Sequence, residues 1–392
     1  MKKISGLIRV IIVFPLFILL DKSSGHQNNS TGKLLGHRMR GYLLYSLILL
    51  FVVLSCKKNE DVHLTLPPRI YCSPFAEVSI YYKNLIQTDN PNDYTFKISP
   101  KLGTDNTIKY TFDIDEKASK NFKMNVDVFN KKGKKVAGGT TEVVYTVPKS
   151  FPADTIQILI TGNSLTNAGY FAAKVKSLCL TQPQLHVNFL GTKESNGGIH
   201  EGYRGKTWEW FSQNIESPFV FNFPGNDTTL SFKNYFENVV HHKPDFVVIE
   251  LGINDCFRAD TTSVGTIDLT IDSMLVHTGY YLNKLIDYKN NIKIGICLPP
   301  SANTNNTGFV ASYGDKYTQT GWTKIQRRLV QRYIDYFDDN FKSNCKVIPL
   351  EVNFDTENGY PVDNGVHPNK LGYNQIASSI FNWLLYEIEN IE

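Results

Sequence analysis

Long apolar runs that alternate with helical stretches dominate the chain from about residue 150 onward. The runs read IQILI, HVNFL, FVVIEL, IKIGICL and KVIPLEV, and they are continuous rather than alternating. A continuous apolar strand is buried on both faces, as in a parallel sheet covered by helices on each side. Helical patterns lie between the runs, near Ala168–Leu180, Ile267–Tyr288, Trp322–Phe341 and Leu371–Glu389. Residues 150–392 are therefore predicted to form an α/β domain, a flavodoxin-like three-layer α/β/α sandwich with a parallel five-stranded sheet.

A strand-rich region precedes this domain. Between residues 67 and 149, the segments VSIYY, YTFKI, IKYTFDI, FKMNVDVFN and TEVVYTV show strand-like alternation. Turn sequences such as TDNPND, KLGTDN and NKKGKK separate them. Short strands at regular spacing, with no helical pattern between them, predict a small all-β sandwich of the immunoglobulin-like type. The region has no cluster of titratable residues that suggests a site, and we interpret it as a spacer or docking module.

The first 56 residues are predicted to be an export segment rather than part of the fold. The apolar runs Leu7–Leu20 and Tyr42–Leu54 are both shorter than the ~20 residues that span a bilayer. If translation starts at Met39, the second run is the core of a signal peptide, and VLSC resembles a bacterial lipoprotein cleavage site. Cys56 would then carry a lipid, residues 57–66 would form a tether, and the protein would be anchored in the cell envelope, on the periplasmic or the outer-membrane surface. A two-helix membrane anchor with an unmodified cysteine is the alternative.

Charge and cysteine content make some partners and sites improbable. The 392 residues carry a formal net charge of +4, and no long basic run has interleaved aromatic residues. Nucleic acid is therefore not an expected partner. Apart from Cys56, five cysteines remain, an odd number without a CxxC spacing, so neither zinc nor a disulfide is expected. Cys179 and Cys297 lie in apolar runs and are predicted to be buried thiols.

The end of the first strand carries a candidate nucleophile. Ligands of open α/β sheets bind at the carboxyl ends of the strands. The first apolar run continues into TGNSLTNAG, which puts Ser164 at a strand-to-helix turn. A serine there can expose its hydroxyl above the sheet, and the backbone amides of the turn can stabilise an oxyanion. The alternative is that Ser164 is only the N-cap of the helix.

Three further segments fall at the same edge of the predicted sheet. GTKESNGGIHEGYRGKTWEW follows the second run, and its glycines let a backbone amide approach a ligand closely. ELGINDC ends the third run with Asn254, whose side-chain amide suits an oxyanion hole, although flexible loops and turns have similar sequences. DNGVHPN places His367 in a loop before the last helix, where it can accept the proton of Ser164. An ordinary surface histidine is the alternative.

The order of these segments carries a family resemblance. GNS, a glycine block after the second strand, GxND and a terminal HP resemble the blocks of the SGNH/GDSL hydrolase family, from about Thr155 to the end of the chain. The resemblance implies that Ser164 is the nucleophile, that its amide is an oxyanion donor and that His367 is the base. Gly205, in RGKT, matches the block glycine and Asn254 the block asparagine, which implies that both complete the oxyanion hole. No metal and no organic cofactor are implied.

Two positions depart from the family pattern. The family usually has aspartate before the nucleophile, where this chain has Asn163. The triad acid normally lies three residues before the histidine, and that position is Asn364, next to Asp363. Loss of the acid costs up to ~10⁴ in turnover in a serine protease. We predict that Asp363 orients His367. The alternatives are that the side-chain oxygen of Asn364 does so, or that a Ser–His dyad works with the help of a backbone carbonyl.

Together these residues predict a serine hydrolase that cleaves carboxylic esters through an acyl-enzyme. Tyr203, Trp208, Trp210 and Trp322 can stack on sugar rings, although such residues are more often core. A lipid-anchored esterase with a β-sandwich resembles carbohydrate-active enzymes of the cell envelope, which implies O-deacetylation of carbohydrate, the substrate being an acylated small molecule or polysaccharide. Ser301–Gly321 has few regular features and is predicted to be a lid. The alternatives are a lipase or thioesterase for longer acyl chains, and a non-catalytic glycan-binding surface lipoprotein.

Overall fold

The computed structural model describes residues 62–88, 90–113, 121–225, 227–340 and 344–391, which belong to one compact unit. The predictions for Met39, for the lipid-bearing Cys56 and for the export segment lie outside these residues. The predicted boundary near residue 150 stays a prediction. No helix within the described ranges combines the length and the apolarity that crossing a bilayer requires.

The region before residue 146 consists mainly of strands. They are β1 His63–Leu64, β2 Arg69–Cys72, β3 Ser79–Tyr81, β4 Ile86–Gln87, β5 Tyr94–Ser99, β6 Gly103–Asp105, β7 Lys109–Phe112, β8 Phe122–Asn130 and β9 Lys135–Tyr145. One sheet has the order β2-β9-β8-β5, a second β3-β7-β6, and β1 pairs with β4. Only the β2–β9 pair is parallel among these described neighbours. The strands agree with the alternating segments of the sequence, and the immunoglobulin-like topology stays a prediction.

The rest of the chain alternates strands and helices. The strands are β10 Ile156–Gly162, β11 Val187–Leu190, β12 Lys193–Ser195, β13 Gly198–Gly202, β14 Val220–Phe223, β15 Asp227–Leu230, β16 Phe246–Glu250, β17 Lys293–Cys297 and β18 Cys345–Ile348. The α-helices are α1 Ser164–Asn167, α2 Tyr170–Leu180, α3 Trp208–Gln213, α4 Phe232–Asn234, α5 Ile253–Cys256, α6 Val264–Tyr288, α7 Asn306–Tyr313, α8 Gln319–Asn340 and α9 Lys370–Glu389.

The predicted parallel five-stranded sheet is confirmed. Its strands lie in the order β11-β10-β16-β17-β18, and each neighbouring pair is parallel. This is the doubly wound order 2-1-3-4-5, in which the first strand lies inside the sheet. The β12–β13 hairpin extends the sheet, because Glu201 and Gly202 pair with the last two residues of β10. The hairpin therefore lies next to the carboxyl end of β10.

Both faces of the sheet are buried, as the continuous apolar runs predict. In β16, Val247 and Ile249 face one hydrophobic cluster, which also contains residues of α3, α6 and α8. Phe246 and Val248 face the other cluster, which contains residues of α2 and α9. Alternate side chains point to opposite faces of a strand, so these four apolar residues of β16 are divided between the two clusters.

The long helices agree with the sequence pattern to within about three residues at each end that can be compared. The segment Ser301–Gly321 differs from expectation, because it contains α7 instead of being irregular throughout. The side-chain oxygen of Asn305 caps this helix by accepting the backbone N–H of Thr307 at 3.0 Å. The stretch is polar and lacks apolar periodicity, so its sequence does not predict a helix. The helix is stabilised by its cap and by one buried aromatic residue, Phe309. Its role as a lid stays a prediction.

Buried side-chain amides attach the β-region to the C-terminal half of the α/β region. The Asn84 amide donates to the carbonyl oxygens of Glu351 and Phe354, both at 2.7 Å. The Asn382 amide, from α9, donates to the carbonyl of Ala76 at 3.0 Å. These carbonyl groups would otherwise be buried without a partner, which is costly. The two regions therefore depend on each other for hydrogen bonds.

The cysteines of the described residues are buried free thiols: Cys72, Cys179, Cys256, Cys297 and Cys345. This confirms the prediction for Cys179 and Cys297. Burial raises the pKa of the Cys179 thiol to about 12, so it stays protonated at neutral pH.

Candidate active site

The candidate nucleophile lies on a tight turn between β10 and α1. Gly162 ends the strand, and a Cβ there would come within 2.3 Å of the Thr166 hydroxyl oxygen, so the turn requires glycine. The N-cap of α1 is Asn163, whose side-chain oxygen accepts the Leu165 N–H at 2.9 Å. The alternative interpretation of Ser164 as the N-cap is therefore wrong. The serine is the first residue of the helix, and its hydroxyl is available for another partner.

That partner is His367. Its Nε2 lies 3.0 Å from the Ser164 Oγ, although the two residues are 203 positions apart in the chain. Burial lowers the pKa of His367 below its usual value of 6.5, and the nearby positive charge of Arg204 lowers this pKa further. A neutral imidazole is the form that can accept a proton from serine. The structure thus brings the two principal predicted residues together with the histidine in its basic form.

The other ring nitrogen of His367 has no hydrogen bond within the described residues. The side-chain oxygen of Asn364 accepts the backbone N–H groups of Val366 and His367, at 3.1 and 2.8 Å. This oxygen therefore braces the loop, and the amide nitrogen of Asn364 can only donate. Asp363 is exposed, and in the described part of the chain no hydrogen bond joins it to the imidazole. Its predicted role stays a prediction.

The two other predicted oxyanion donors lie on neighbouring segments, one in a loop and one in a short helix. Gly205 follows β13 and has φ +71°, a left-handed conformation that favours glycine. A Cβ at this position would meet no atom within 4 Å, so the backbone borders open space. Asn254 lies in α5, after β16, and its side-chain nitrogen donates to the Lys206 carbonyl at 3.1 Å. The next residue, Asp255, accepts the backbone N–H of Trp208 at 3.0 Å.

One cavity of about 330 Å³ brings these residues together: Ser164, Gly205, Asn254 and His367 all line it. Its other walls are largely apolar and aromatic and include Trp322. Tyr203, Trp208 and Trp210 do not line it; Trp208 is fully buried, and Tyr203 packs on Trp210 with ring centroids 5.0 Å apart. The alternative that these three aromatic residues belong to the core is the correct one.

Glu250 is a lining residue that the sequence analysis missed. It ends β16 and is 1% exposed, and its Oε1 accepts the side-chain N–H of Asn163 at 3.0 Å. Its Oε2 has no hydrogen-bond partner within the described residues. Burial raises the pKa of this carboxyl to about 8, against the opposing effect of the bonds from Asn163. The available signal was the only acidic residue in FVVIEL, an otherwise apolar strand.

A second serine–histidine pair lies in the β12–β13 hairpin and has a structural role. The His200 Nε2 is 2.7 Å from the Ser195 Oγ, and its Nδ1 accepts the Gly202 N–H at 3.0 Å. Since Nδ1 accepts, Nε2 carries the proton and cannot take one from serine. Burial lowers the pKa of His200 to about 4, which keeps it neutral. This pair holds β12 to β13 rather than performing chemistry.

Two arginines, Arg204 and Arg258, also line the cavity and were not predicted as site residues. Arg204 directly precedes the predicted Gly205, and Arg258 follows shortly after Asn254. The rule that sites lie at the carboxyl ends of strands therefore predicts their positions but not the orientation of their side chains. Within the described residues, no group of three His, Cys, Asp or Glu side chains is arranged to hold a metal ion.

The chain matches a family model and is similar to several solved structures. The family model described as GDSL-like Lipase/Acylhydrolase matches residues 161–380. No curated protein matches the chain. A carbohydrate esterase of family 3 from Talaromyces cellulolyticus is 18% identical, with 60% of this chain and 100% of that chain covered and a TM-score of 0.40. A family 3 carbohydrate esterase from Clostridium thermocellum is 20% identical, with 60% and 98% covered and a TM-score of 0.39.

A carbohydrate acetylesterase from Sinorhizobium meliloti is 15% identical, with 59% of this chain and 99% of that chain covered and a TM-score of 0.34. The match to the family model extends over more than half of the 392 residues. It includes the serine turn and the loop of His367. The chain therefore belongs to the GDSL-like lipase/acylhydrolase family and is an esterase that acts on ester bonds.

Proposed function

We propose that this esterase removes acetyl groups from carbohydrate hydroxyls, with Ser164 as nucleophile and His367 as general base. The observation that supports the proposal is the 3.0 Å contact between the Ser164 Oγ and the His367 Nε2 inside the cavity. A nucleophile is activated when a base lies within hydrogen-bonding distance of it. The lowered pKa of His367 agrees with this role, because the imidazole is then neutral at pH 7.

The reaction proceeds in two steps. In the first, Ser164 attacks the acetyl carbonyl as His367 takes the hydroxyl proton. The oxyanion of the tetrahedral intermediate accepts hydrogen bonds from the amides of Ser164 and Gly205 and from the side chain of Asn254. His367 then returns the proton to the departing sugar oxygen, and an acetyl-serine remains. In the second step His367 activates water, which releases acetate and restores the serine.

The imidazole is proposed to work as a serine–histidine dyad with limited outside help. The Asn364 oxygen is occupied by two backbone amides, and a carboxamide nitrogen cannot accept a proton from the ring. Asp363 is exposed to solvent, which weakens any charge it contributes at a distance. Turnover is then expected to be lower than in an enzyme with a bonded acid.

The size of the cavity favours a short acyl group. Its volume of about 330 Å³ is near the lower end of the range of ~300–1,000 Å³ that is typical of small-molecule sites. Trp322 and Tyr313 line it and are the aromatic side chains proposed to contact a sugar ring. An acetyl group beside one sugar unit fits such a space better than a long hydrocarbon chain.

The serine can be tested with a matched control. We expect Ser164→Ala to abolish both hydrolysis of p-nitrophenyl acetate and covalent labelling by a fluorophosphonate. Ser195→Ala removes the hydroxyl of the other serine–histidine pair and should keep both activities in correctly folded protein. Labelling that persists in Ser164→Ala would assign the nucleophile elsewhere. Wild-type protein that is folded but unlabelled would favour a non-catalytic glycan-binding lipoprotein.

The substrate class needs a separate measurement. Acetate released from acetylated xylan or pectin should exceed, per enzyme, the fatty acid released from long-chain acyl esters and thioesters. Preference for the long chains would favour a lipase or thioesterase instead.

We also propose that Cys56 is lipidated and anchors the protein in the cell envelope, as its VLSC context suggests. Incorporation of a labelled fatty acid into the wild type but not into Cys56→Ser is the expected result. Equal incorporation into both proteins would contradict the proposal.

A further inference from the structure

The geometry points to a carboxylate-bearing sugar as the substrate: we propose that Arg204 and Arg258 bind the carboxylate of a uronic acid unit next to the acetyl group that is cleaved. This inference rests on the proposed deacetylase function and adds the charge of its substrate. Both guanidinium groups line the cavity that contains Ser164 and His367. They come from different segments: Arg204 precedes Gly205 in the loop after β13, and Arg258 follows α5, the helix that contains Asn254.

Neither arginine is neutralised within the part of the chain that the structure describes. No ion pair there involves Arg204 or Arg258, whereas Arg328 and Arg332 contact Asp268 at 2.6 and 3.1 Å. Both cavity arginines are exposed. Arginine retains its charge at all physiological pH values. Two arginines that line a reactive cavity and have no ion-pair partner among the described residues can donate hydrogen bonds to the carboxylate of a ligand.

A hydrogen bond connects Arg204 to the helix that carries the nucleophile. With the Asn167 amide oriented so that both of its ends are satisfied, its oxygen accepts the Arg204 Nε–H at 3.1 Å and its nitrogen donates to the Gly202 carbonyl at 3.0 Å. Asn167 belongs to α1, the helix that begins with Ser164. The bond to Nε leaves the two terminal nitrogens of Arg204 for a bidentate contact with a planar carboxylate.

Arg258 is held in a different way. Its guanidinium carbon lies 5.1 Å from the centre of the Phe257 ring, a cation–π distance. Arg258, Phe257 and Trp322 line both the main cavity and a small adjoining pocket of about 220 Å³. Asp315 and Lys316 also line the adjoining pocket. Their charges have opposite signs, so together they add no net charge to it. The adjoining pocket gives space for the next sugar of a chain.

The remaining charge in the cavity does not offset the arginines. Glu250 is the one acidic residue among those that line it. Burial raises the pKa of this carboxyl to about 8, so it is largely neutral at pH 7. The positive charge of Arg204 reaches the reaction centre, where it helps to lower the pKa of His367. The binding of a neutral acetylated sugar gains little from this field, whereas a uronate is attracted by it.

The test compares two substrates that differ in one group. Acetylated methyl glucuronoside and acetylated methyl glucoside are identical except for the carboxylate at carbon 6. We expect kcat/KM to favour the glucuronoside at least tenfold at low salt, and this ratio to shrink at high salt because the charges are screened. Using the ratio of two substrates on one enzyme cancels any change at the nucleophile.

Variants locate the effect. Arg204→Gln and Arg258→Gln should each reduce the ratio severalfold. Lys233→Gln removes one positive charge from an exposed residue outside the cavity and should leave the ratio unchanged. A wild-type ratio near one, or a ratio that neither arginine variant changes, would overturn the proposal.

Failure of the deacetylase function is distinguished by a binding measurement. If neither ester is hydrolysed, that function fails, and calorimetric titration of the Ser164→Ala protein still tests the anion site. Oligogalacturonate should bind and neutral xylo-oligosaccharide should bind at least tenfold more weakly, and Arg258→Gln should reduce the difference severalfold. Equal affinity for both sugars, or no binding of oligogalacturonate, would refute the anion site itself.

Discussion

The side-chain amide of Asn254 donates a hydrogen bond to the carbonyl oxygen of Lys206, at 3.1 Å, and so joins the loop after β16 to the loop after β13. Lys206 follows Gly205 directly, which means that one proposed oxyanion donor fixes the backbone of the other. The remaining N–H of Asn254 is available for the substrate oxygen. Preorganised donors of this kind need no rearrangement when charge develops in the transition state.

Replacing Asn254 by alanine should therefore reduce activity strongly. Removal of one oxyanion donor costs ~10²–10³ in kcat in a serine protease, and we expect a loss of at least this size because Gly205 also loses its tether. Steady-state kinetics with p-nitrophenyl acetate, beside a thermal melt to check folding, measure this. A folded Asn254→Ala protein with kcat within threefold of the wild type would remove Asn254 from the mechanism.

The pH profile should report the environment of His367. Burial first and Arg204 second lower its pKa, and the neutral ring is the active base, so kcat/KM should rise with pH through a midpoint below pH 6.5 and then level off. Arg204→Gln removes one of the two causes, and the rising limb should move to higher pH. The profile is measured with p-nitrophenyl acetate, a neutral substrate. A limb that stays in place, or moves to lower pH, would contradict the assignment.

A carboxylate next to the His367 ring can be supplied by one substitution. Asn364→Asp keeps an oxygen for the Val366 and His367 amides and adds a second oxygen that can accept the ring N–H. We expect kcat/KM to rise, by up to ~10-fold, a small part of the ~10⁴ that an acid contributes in a serine protease. The rising limb of the pH profile should also move to higher pH, since a carboxylate stabilises the imidazolium and so raises the pKa of His367.

Asp363→Asn is the matched control for that experiment. An exposed carboxylate without a bond to the ring contributes little, so this variant should change kcat/KM by less than about threefold. A loss of ~10³ or more would show that Asp363 is the orienting acid after all, as the sequence comparison suggested.

Glu250 should make folding stability depend on pH. Its pKa is about 8 in the folded protein against an ordinary value of 4.5, so the folded state keeps a proton that the unfolded state releases between these values. The free energy of unfolding therefore falls as the pH rises from 4.5 to 8. Glu250→Gln cannot ionise and should melt higher than the wild type at pH 9, by an amount that corresponds to roughly 2–4 kcal/mol.

Melting curves at pH 5 and pH 9 separate this effect from a general change in packing. At pH 5 both proteins carry a neutral side chain at position 250, and their melting temperatures should nearly coincide. A stability difference between wild type and Glu250→Gln that is equal at the two pH values would show that the carboxyl is not ionising there.

The sequence predicts the sheet well because several segments of the chain carry the same hydrophobic pattern. Five continuous apolar runs leave few arrangements, and the carboxyl ends of parallel strands meet at one edge. That rule is enough to bring Ser164 and Asn254 to the same cavity as Gly205 and His367. It needs no knowledge of individual side-chain contacts.

Details that depend on side-chain contacts are not visible in the sequence. Nothing in GGIHEGYRG distinguishes a structural His200 from a catalytic one, because the difference is which ring nitrogen accepts the amide of Gly202. The role of Glu250 depends on its burial, and the orientation of Arg204 depends on Asn167. The helix α7 was missed because a single buried side chain and a cap hold it, which leaves no periodic pattern.

The amides of Asn84 and Asn382 have a consequence for recombining this enzyme with others. The family match begins at residue 161, yet carbonyl groups of Glu351 and Phe354, deep in its second half, take their hydrogen bonds from Asn84. A gene fragment trimmed to the match would strip those groups of their donor and uncover the apolar flank of α9. The shortest fragment that keeps these hydrogen bonds is therefore the segment from about residue 62 onward. A chimera joined near residue 150 would need a replacement for each contact that the junction removes.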